Sequence, residues 1–442
     1  MNKPNILYIH SHDTGRHIQP YGYAVVTPNL QRLAEEGVLF RENFCVSPTC
    51  SPSRAALLTG CYPHENGMTG LAHRGWSLNH YEQHVIHTLR QEGYRSVLTG
   101  VQHIASPANG KQAWQGKQAW QIIGYDRYLE GDPCQQAVSF FEQQSPGEPF
   151  FLSVGFFETH REYPDLVDAP DDPRYCLPPA PLPDTPETRQ DMARFKASAR
   201  ILDRKMGEVL AALDRSGLAD NTLVICTTDH GIAFPRMKCN LHDSGTGTLL
   251  IMRGPGGFAG GKVIDGMTSH LDIFPTICDL AGSEPPSWLR GASLLPLVRG
   301  ETASLHDALF FEVNYHAAYE PMRAVRTKRW KYIRRFDGRS TPVLPNCDDG
   351  ESKSVWLEQG WRERHIEDES LFDLQFDPNE MSNLSGDPAC QMILQDMRGR
   401  LRQWMLETND PLLHGVVPAP AGAVVNDVNG LSPNEKPQPV QQ

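Results

Sequence analysis

The sequence lacks several features that would place it in a specialised class of protein. Its 442 residues contain no apolar run of about 18 residues, so we expect no membrane span. The first nine residues contain no apolar leader followed by small residues, which predicts a cytoplasmic protein. The net charge of −12 gives no general attraction for nucleic acid or anionic lipid, so neither is an expected partner.

The ten cysteines include no CxxC pair and no zinc-finger spacing. Most lie beside apolar residues, as Cys226 and Cys278 do. A thiol in such a position behaves as a small apolar side chain. We therefore expect buried free thiols in a reducing compartment, with Cys50 as the exception.

Continuous apolar runs alternate with helical patterns over the first two-thirds of the chain. The runs predict buried strands at residues 5–9, 97–99, 150–154, 222–226 and 248–252. A helix is predicted to begin at Thr185 and Pro186, to bury a face from Met192 to Leu213, and to end near Gly217. This order predicts an α/β fold with a mostly parallel sheet covered by helices.

The pattern changes after residue 302. Strands are predicted at residues 308–313, 322–326, 330–334 and 370–374, and a helix from about 389 to 407. We therefore expect a larger domain over 1–302, a smaller C-terminal α+β domain over 303–414, and a Pro/Gly-rich tail over 415–442. The tail has the composition of a flexible extension. Alternatively it is pinned against the body or against a partner subunit of a homo-oligomer.

The segment with the clearest chemical signal is CSPSRAALLTG, from Cys50 to Gly60. A helix that begins here would direct free N–H groups and positive potential at an anion. Arg54 lies one turn further along and can point back toward residue 50. Taken alone, a cysteine near a proline at a helix start is more often a buried structural residue.

This segment resembles the signature of type I sulfatases, Cys-x-Pro-x-Arg followed by Thr-Gly. Residues 231–235 and 404–411 are in addition similar to segments of the heparan N-sulfatases (sulfamidases). The resemblance implies an alkaline-phosphatase-like fold with its catalytic domain over 1–302. It also implies that a formylglycine-generating enzyme oxidises Cys50, and that one hydroxyl of the hydrated aldehyde is the nucleophile.

Two further segments imply one bound divalent metal. His12 and Asp13 stand where the family usually has two carboxylates, and Asp229 and His230 follow the strand predicted at 222–226. With Cys50 these residues are the implied metal site. The family usually holds calcium, whereas two imidazoles would favour manganese or another transition metal.

Two questions about these ligands stay open in the sequence. His230 could face the substrate rather than the metal. His10 and His12 lie on the same strand face, so either could be the inward one.

The resemblance implies three more catalytic residues beside Cys50 and Arg54. These are His103, His160, which follows the strand predicted at 150–154, and Lys238, which begins a Lys-x-x-Leu element. Lys238 would bind the sulfate, His160 or Lys238 would protonate the leaving atom, and His103 would take the proton that expels sulfate.

One departure from the family lies beside His103. The family usually has Gly-Lys-x-His, but Val101 replaces the lysine. Val101 removes a positive charge and His12 removes a negative one, so we expect the two changes to compensate. Gln102 could supply a neutral donor in place of the lysine.

We therefore predict a sulfuric ester or sulfamate hydrolase that acts on a small anionic sulfated substrate, with saccharides among the candidates. One alternative is a phosphonate monoester or phosphodiester hydrolase on the same scaffold. Another is a non-catalytic carbohydrate-binding relative, which the replacement at Val101 favours.

Overall fold

The computed structural model describes residues 3–107, 116–144, 147–165 and 171–440. Over these residues the strands are β1 Asn5–Ser11, β2 Val38–Phe40, β3 Asn43–Phe44, β4 Arg95–Gly100, β5 Arg127–Leu129, β6 Phe150–Gly155, β7 Thr222–Thr228, β8 Leu250–Arg253, β9 Lys262–Ile264, β10 Thr268–Ser269, β11 Leu309–Tyr315, β12 Tyr319–Arg326, β13 Trp330–Arg335, β14 Glu369–Asp373, β15 Val424–Val425 and β16 Gln438–Pro439. The α-helices are α1 Pro28–Glu36, α2 Cys50–Thr59, α3 Pro63–Asn66, α4 Val85–Gln91, α5 Gly116–Ile123, α6 Pro133–Gln143, α7 Pro186–Arg215, α8 Asp243–Thr246, α9 Ile273–Ala281, α10 Leu295–Val298, α11 Glu351–Glu358 and α12 Gln391–Glu407.

Eight strands form one mostly parallel sheet in the order β5-β4-β6-β1-β7-β8-β2-β9. The central strand β1 pairs in parallel with β6 and β7, whereas β8 runs antiparallel to β7 and β2. Side chains of β1 alternate between two apolar layers, one with Ile6 and Tyr8 and one with Leu7 and Ile9. The predicted covered, mostly parallel sheet is confirmed.

One predicted strand begins two residues later than expected. The strand predicted at 248–252 is β8, Leu250–Arg253, because Thr248 pairs elsewhere. The backbone N–H of Thr248 donates to the carbonyl oxygen of Asn43 at 3.0 Å, and the Asn43 amide donates to the Thr248 hydroxyl at 2.7 Å. Thr248 therefore belongs to the connection with β3 rather than to the large sheet.

The long helix α7 covers one face of the sheet. The Thr185 hydroxyl accepts the N–H of Thr188, so this helix begins where the sequence predicted. Its apolar face packs Leu202, Met206 and Val209 against the β1 and β7 layer. Within the described ranges, no helix combines the length and apolar character that a bilayer crossing requires.

The C-terminal strands form a separate antiparallel sheet in the order β11-β12-β13-β14. Helix α12 covers one face, with Leu394, Met397 and Leu401 packed on the sheet. The other face packs against the larger domain in a cluster that includes Phe44. Helix α12 begins slightly later than predicted, because residues 388–390 form a short 3-10 turn.

The tail lies against the body of the chain, as one of the two alternatives predicted. Strands β15 and β16 pair with each other, and Val417 and Ala423 are buried. The Tyr315 hydroxyl donates to the Val417 carbonyl oxygen at 2.8 Å, which ties the tail to β11. These contacts fix residues that composition alone would leave flexible.

All ten cysteines have free thiols. Nine of the ten are buried: Cys50 and eight of the other nine, for which burial was predicted. Cys390 is the exception, because it is half-buried in the 3-10 turn immediately before α12.

Candidate active site

The carboxyl ends of β1 and β7 bring the two predicted aspartates together. The chain turns sharply after β1, where Asp13 has a φ of 54°, and its backbone N–H donates to Asp229 Oδ1 at 2.8 Å. One donor atom from each of the predicted ligands lies within 4.8 Å of all the others: His12, Asp13, Cys50, Asp229 and His230. The sequence therefore predicted a set of side chains that the fold does assemble.

His12 faces this cluster. Its Nδ1 lies 2.8 Å from Asp13 Oδ1 and 3.1 Å from Asp229 Oδ2. His10 also points inward, but its Nδ1 lies 2.7 Å from a guanidinium nitrogen of Arg54. Burial lowers the pKa of His12 to about 4, although Asp229 and Asp13 oppose that shift. The ring is therefore neutral at neutral pH and keeps a lone pair for a metal.

Cys50 is the first residue of α2, and every residue of this helix is buried. Its Sγ lies 3.4 Å from His230 Nε2, which in turn lies 3.3 Å from Asp13 Oδ1. Burial raises the pKa of the Cys50 thiol well above its usual value, although Lys238 acts in the opposite direction. The thiol is therefore protonated at neutral pH, and a protonated thiol is a weak nucleophile.

Arg54 points back from α2, as predicted, and it binds Asp229. Its Nε and Nη2 lie 3.2 and 2.9 Å from Asp229 Oδ2, and Nη2 also donates to the Ser11 carbonyl oxygen at 2.9 Å. Burial alone would raise the pKa of Asp229, but Arg54 and His12 hold it well below the usual range. Arg54 therefore orients an ionised carboxylate between the ends of two strands.

Lys238 lies between two carboxylates. Its Nζ is 2.8 Å from Asp13 Oδ2 and 2.9 Å from Asp348 Oδ2. Burial would lower the pKa of Lys238, but Asp13 and Asp348 raise it well above the usual value. The loop that carries Lys238 is tied to the segment before Cys50, since the N–H of Cys239 donates to the Pro48 carbonyl oxygen at 2.8 Å.

The rings of His103 and His160 both lie near the ring of His12, at 5.9 and 4.6 Å between ring centroids. His103 Nε2 is 3.0 Å from His73 Nδ1, whereas its own Nδ1 is buried without a hydrogen-bond partner among the described residues. Burial, together with His73, holds the pKa of His103 well below its usual value, so a ring nitrogen is available to accept a proton. His160 Nε2 lies 3.9 Å from Asp13 Oδ2, and its ring meets the His12 ring edge-on at 4.6 Å.

The departure at Val101 is accommodated by the backbone. Val101 is buried, and its N–H donates to the Gly155 carbonyl oxygen at 3.0 Å. The Gln102 side chain accepts from the N–H groups of Ile104 and Ala105 and donates to the Ala105 carbonyl oxygen at 2.8 Å. These bonds hold the turn that carries His103, and a role for Gln102 as the neutral donor stays a prediction.

Sequence reasoning missed Asp348 and His73. Asp348 reaches the site from the loop before α11, and His73 reaches it from a short 3-10 turn, Ala72–Arg74, after α3. Neither segment carries a long periodic pattern, so only the fold shows that they approach Lys238 and His103.

The charges that meet here suit a divalent cation. The three carboxylates of Asp13, Asp229 and Asp348 carry three negative charges, and the side chains of Arg54 and Lys238 carry two positive charges. The site therefore has one net negative charge. Buried carboxylate oxygens beside imidazole nitrogens are donors that divalent metals accept. A bound divalent ion would turn the local charge positive, which matches an anionic substrate.

Side-chain exposure differs among the residues of the site. Cys50 and Lys238 are 2 and 3% exposed. Asp348 and His160 are 15 and 22% exposed, and His73 is open to solvent. Asp348, His160 and His73 are therefore the more accessible of these five side chains.

This fold and site define a hydrolase of the alkaline-phosphatase-like architecture with a buried metal-capable centre. The family model described as Sulfatase matches residues 4–283, and the model for the C-terminal region of N-sulphoglucosamine sulphohydrolase matches residues 233–346. The chain belongs to the sulfatase family. Its relatives are named sulfatases and sulphohydrolases, so the predicted class, a sulfuric ester hydrolase, is confirmed.

Individual relatives cover most of the chain. Human N-sulphoglucosamine sulphohydrolase is 29% identical over 88% of this chain and 87% of its own length. A structure solved with its substrate D-glucosamine-2-N,6-O-disulfate superposes with a TM-score of 0.71 at 20% identity, over 93% of this chain and 100% of that one. A phosphonate monoester hydrolase from Silicibacter pomeroyi gives a TM-score of 0.70 at 20% identity, over 93% and 97%. At these identities the two structures show a shared fold alone.

Proposed function

We propose that the chain hydrolyses a sulfate ester or sulfamate on a saccharide, with a formylglycine made from Cys50 and one divalent cation. The observation that carries this proposal is the position of Cys50 Sγ at the start of α2, within the buried donor cluster of Asp13 and Asp229. The saccharide class is supported by the name of the human relative.

Asp13 and Asp229 would hold the cation, with His12 and His230 as nitrogen donors. When present, the hydrated aldehyde supplies a hydroxyl nucleophile and the cation supplies positive charge beside the sulfuryl oxygens. Calcium is the ion that family resemblance favours, whereas the two imidazoles favour manganese or another transition metal. Maturation requires a formylglycine-generating enzyme in the same cell.

The chain's own side chains orient the reactants and move protons. Arg54 fixes the Asp229 carboxylate, and the charged Nζ of Lys238 stabilises negative charge on the sulfuryl group. Nε2 of His160 or Nζ of Lys238 gives a proton to the leaving oxygen or nitrogen. His103 accepts a proton at Nδ1, the ring nitrogen without a hydrogen-bond partner among the described residues, in the step that releases sulfate.

The test compares 4-nitrophenyl sulfate, N-sulfoglucosamine and 4-nitrophenyl phenylphosphonate as substrates of protein that is co-expressed with a formylglycine-generating enzyme. We expect both sulfated compounds to be hydrolysed with higher kcat/KM than the phosphonate, and Cys50→Ala to be inactive on all three. A higher kcat/KM for the phosphonate would instead support the phosphonate hydrolase alternative. Binding of N-sulfoglucosamine without turnover, by protein with an unmodified thiol, would support the carbohydrate-binding alternative.

A further inference from the structure

The tail contacts two turns that come from different domains. Asn426 Oδ1 accepts a hydrogen bond from Arg74 Nη1 at 2.7 Å, and the Pro433 carbonyl oxygen accepts one from Arg74 Nη2 at 3.3 Å. Ser432 Oγ donates to Asp349 Oδ2, and Asn434 Nδ2 donates to the same oxygen at 3.1 Å. Residues 426–434 therefore bridge the turn after α3 and the loop before α11.

Asn426 lies at the centre of this bridge and is 2% exposed. The carbonyl oxygens of Ser432, Pro433 and Glu435 lie 3.1, 3.3 and 3.0 Å from its Nδ2. Its backbone N–H donates to the Ala317 carbonyl oxygen at 2.8 Å. Both ends of the amide and the backbone are therefore used, each to hold a different segment.

Each segment that this bridge holds is adjacent in the chain to a side chain at the active site. His73 precedes Arg74, and its Nδ1 lies 3.0 Å from His103 Nε2. Asp348 precedes Asp349, and its carboxylate lies 2.9 Å from Lys238 Nζ.

The third segment is the turn between β11 and β12. His316 precedes Ala317 and is buried, with no hydrogen-bond partner for its Nδ1 among the described residues. Burial lowers the pKa of His316, and the nearby charge of Lys238 lowers it further. His316 is therefore a third side chain within electrostatic reach of Lys238.

We infer that Asn426 is a positioning residue of the active site, which sets His73, His316 and Asp348 through Arg74, Ala317 and the 432–435 loop. Two of these three side chains, His73 and Asp348, are also among the more accessible side chains of the site. The tail therefore governs how well the enzyme distinguishes one sulfated carrier from another. The inference rests on the proposed function for the reaction, whereas its geometry stands without it.

The first experiment is amide hydrogen exchange on the full chain with the unmodified thiol, so that it does not depend on maturation. In Asn426→Ala we expect exchange to accelerate about tenfold or more at residues 72–75, 315–318 and 347–350, since local opening follows the loss of anchoring bonds. Asn426→Asp keeps an oxygen that can accept from Arg74, so we expect a smaller effect at 72–75. Asn429→Ala is the control, because Asn429 lies in the same loop but bonds to Arg339 at 3.1 Å, and it should leave all three segments unchanged.

The second experiment measures kcat/KM of the matured protein for N-sulfoglucosamine and for 4-nitrophenyl sulfate. We take the ratio of kcat/KM for N-sulfoglucosamine to kcat/KM for 4-nitrophenyl sulfate. This ratio cancels any difference in the fraction of active enzyme, so a purely structural role of Asn426 would not change it. We expect the ratio to fall about tenfold in Asn426→Ala and to stay constant in Asn429→Ala, since misplacement by about 1 Å can cost up to a hundredfold.

Unchanged exchange in the three segments would overturn the inference, as would an equal rise throughout the central sheet. A constant ratio despite faster local exchange would also overturn it, because Asn426 would then serve stability alone. If the parental enzyme hydrolyses neither compound, the proposed function fails, and the exchange result alone decides whether Asn426 positions the three segments.

Discussion

Replacing Lys238 with methionine should separate two consequences of one charge. Lys238 Nζ lies 2.8 Å from Asp13 and 2.9 Å from Asp348, and methionine keeps much of the side-chain length without the charge. We expect turnover to fall, because negative charge on the sulfuryl oxygens loses its donor. We expect the affinity for a divalent cation to rise, because a positive charge beside its ligand Asp13 is gone.

The expected magnitudes follow from these contacts. A unit charge about 4 Å away contributes roughly 4 kcal/mol at an effective dielectric near 20. Relaxation and entering water reduce this value, so we expect cation binding to tighten by at least about tenfold, which is about 1.4 kcal/mol. Loss of one preorganised donor in an active site typically lowers kcat by about a hundredfold to a thousandfold.

The chain offers a matched control in Lys331. This buried lysine also lies between two carboxylates, 2.8 Å from Asp243 and 3.7 Å from Glu380, but outside the active site. Breaking either buried pair should destabilise the fold by about 3–5 kcal/mol. Only Lys238→Met should change cation affinity and turnover per folded molecule.

The assays are calorimetric titration of the unmodified protein with Mn²⁺ and with Ca²⁺, and turnover of 4-nitrophenyl sulfate by the matured protein. A fall in cation affinity together with turnover would refute the electrostatic reasoning, since Lys238 would then be required for the shape of the site. An unchanged kcat would show that Lys238 does not act on the sulfuryl group.

Four further predictions concern single side chains. Cys50→Ala should retain the fold by circular dichroism while turnover falls below about one-thousandth of the parental value. His103→Ala should accumulate a sulfated adduct on residue 50, visible by intact mass, and loss of the initial burst without an adduct would contradict this. Because burial lowers the pKa of His12 to about 4, protons compete for its lone pair only at low pH, so a cation held by His12 should be retained as the pH falls through about 6.5. Release of the cation near pH 6.5, measured after equilibrium dialysis, would contradict this prediction. Burial lowers the pKa of His64, but the charge and hydrogen bond of Glu312 outweigh burial and raise the pKa overall, so the pair should stabilise the fold below about pH 6.5 and lose this effect as the pH rises through the folded pKa. His64→Gln should therefore lower the free energy of unfolding more at about pH 6 than at about pH 9, as measured by urea unfolding. An equal loss at both pH values would contradict the raised pKa.

The large sheet could be predicted from the sequence where its strands are buried on both faces. Strands β1, β6 and β7 are continuous apolar runs, which is the pattern that helices on both faces impose. Strands β2, β5 and β9 were missed, because three residues are too few for a periodic signal and because β5 and β9 are partly exposed.

The active site could be predicted to the same extent as the strands that carry it. Asp13 and Asp229 follow the ends of neighbouring parallel strands, so their convergence follows from topology. Asp348 and Asn426 lie in the C-terminal part of the chain, far from Lys238 and Arg74 in sequence, and reach them through tertiary packing. Contacts of this kind have no spacing rule, and only the assembled fold reveals them.

The state of residue 50 tests the central claim most directly. Protein is prepared with graded amounts of a formylglycine-generating enzyme, and the fraction of residue 50 present as aldehyde is measured by peptide mass spectrometry beside the turnover of 4-nitrophenyl sulfate. We predict that turnover rises in proportion to the aldehyde fraction and extrapolates to zero for the unmodified thiol. Full turnover by protein whose Cys50 is unmodified would contradict it.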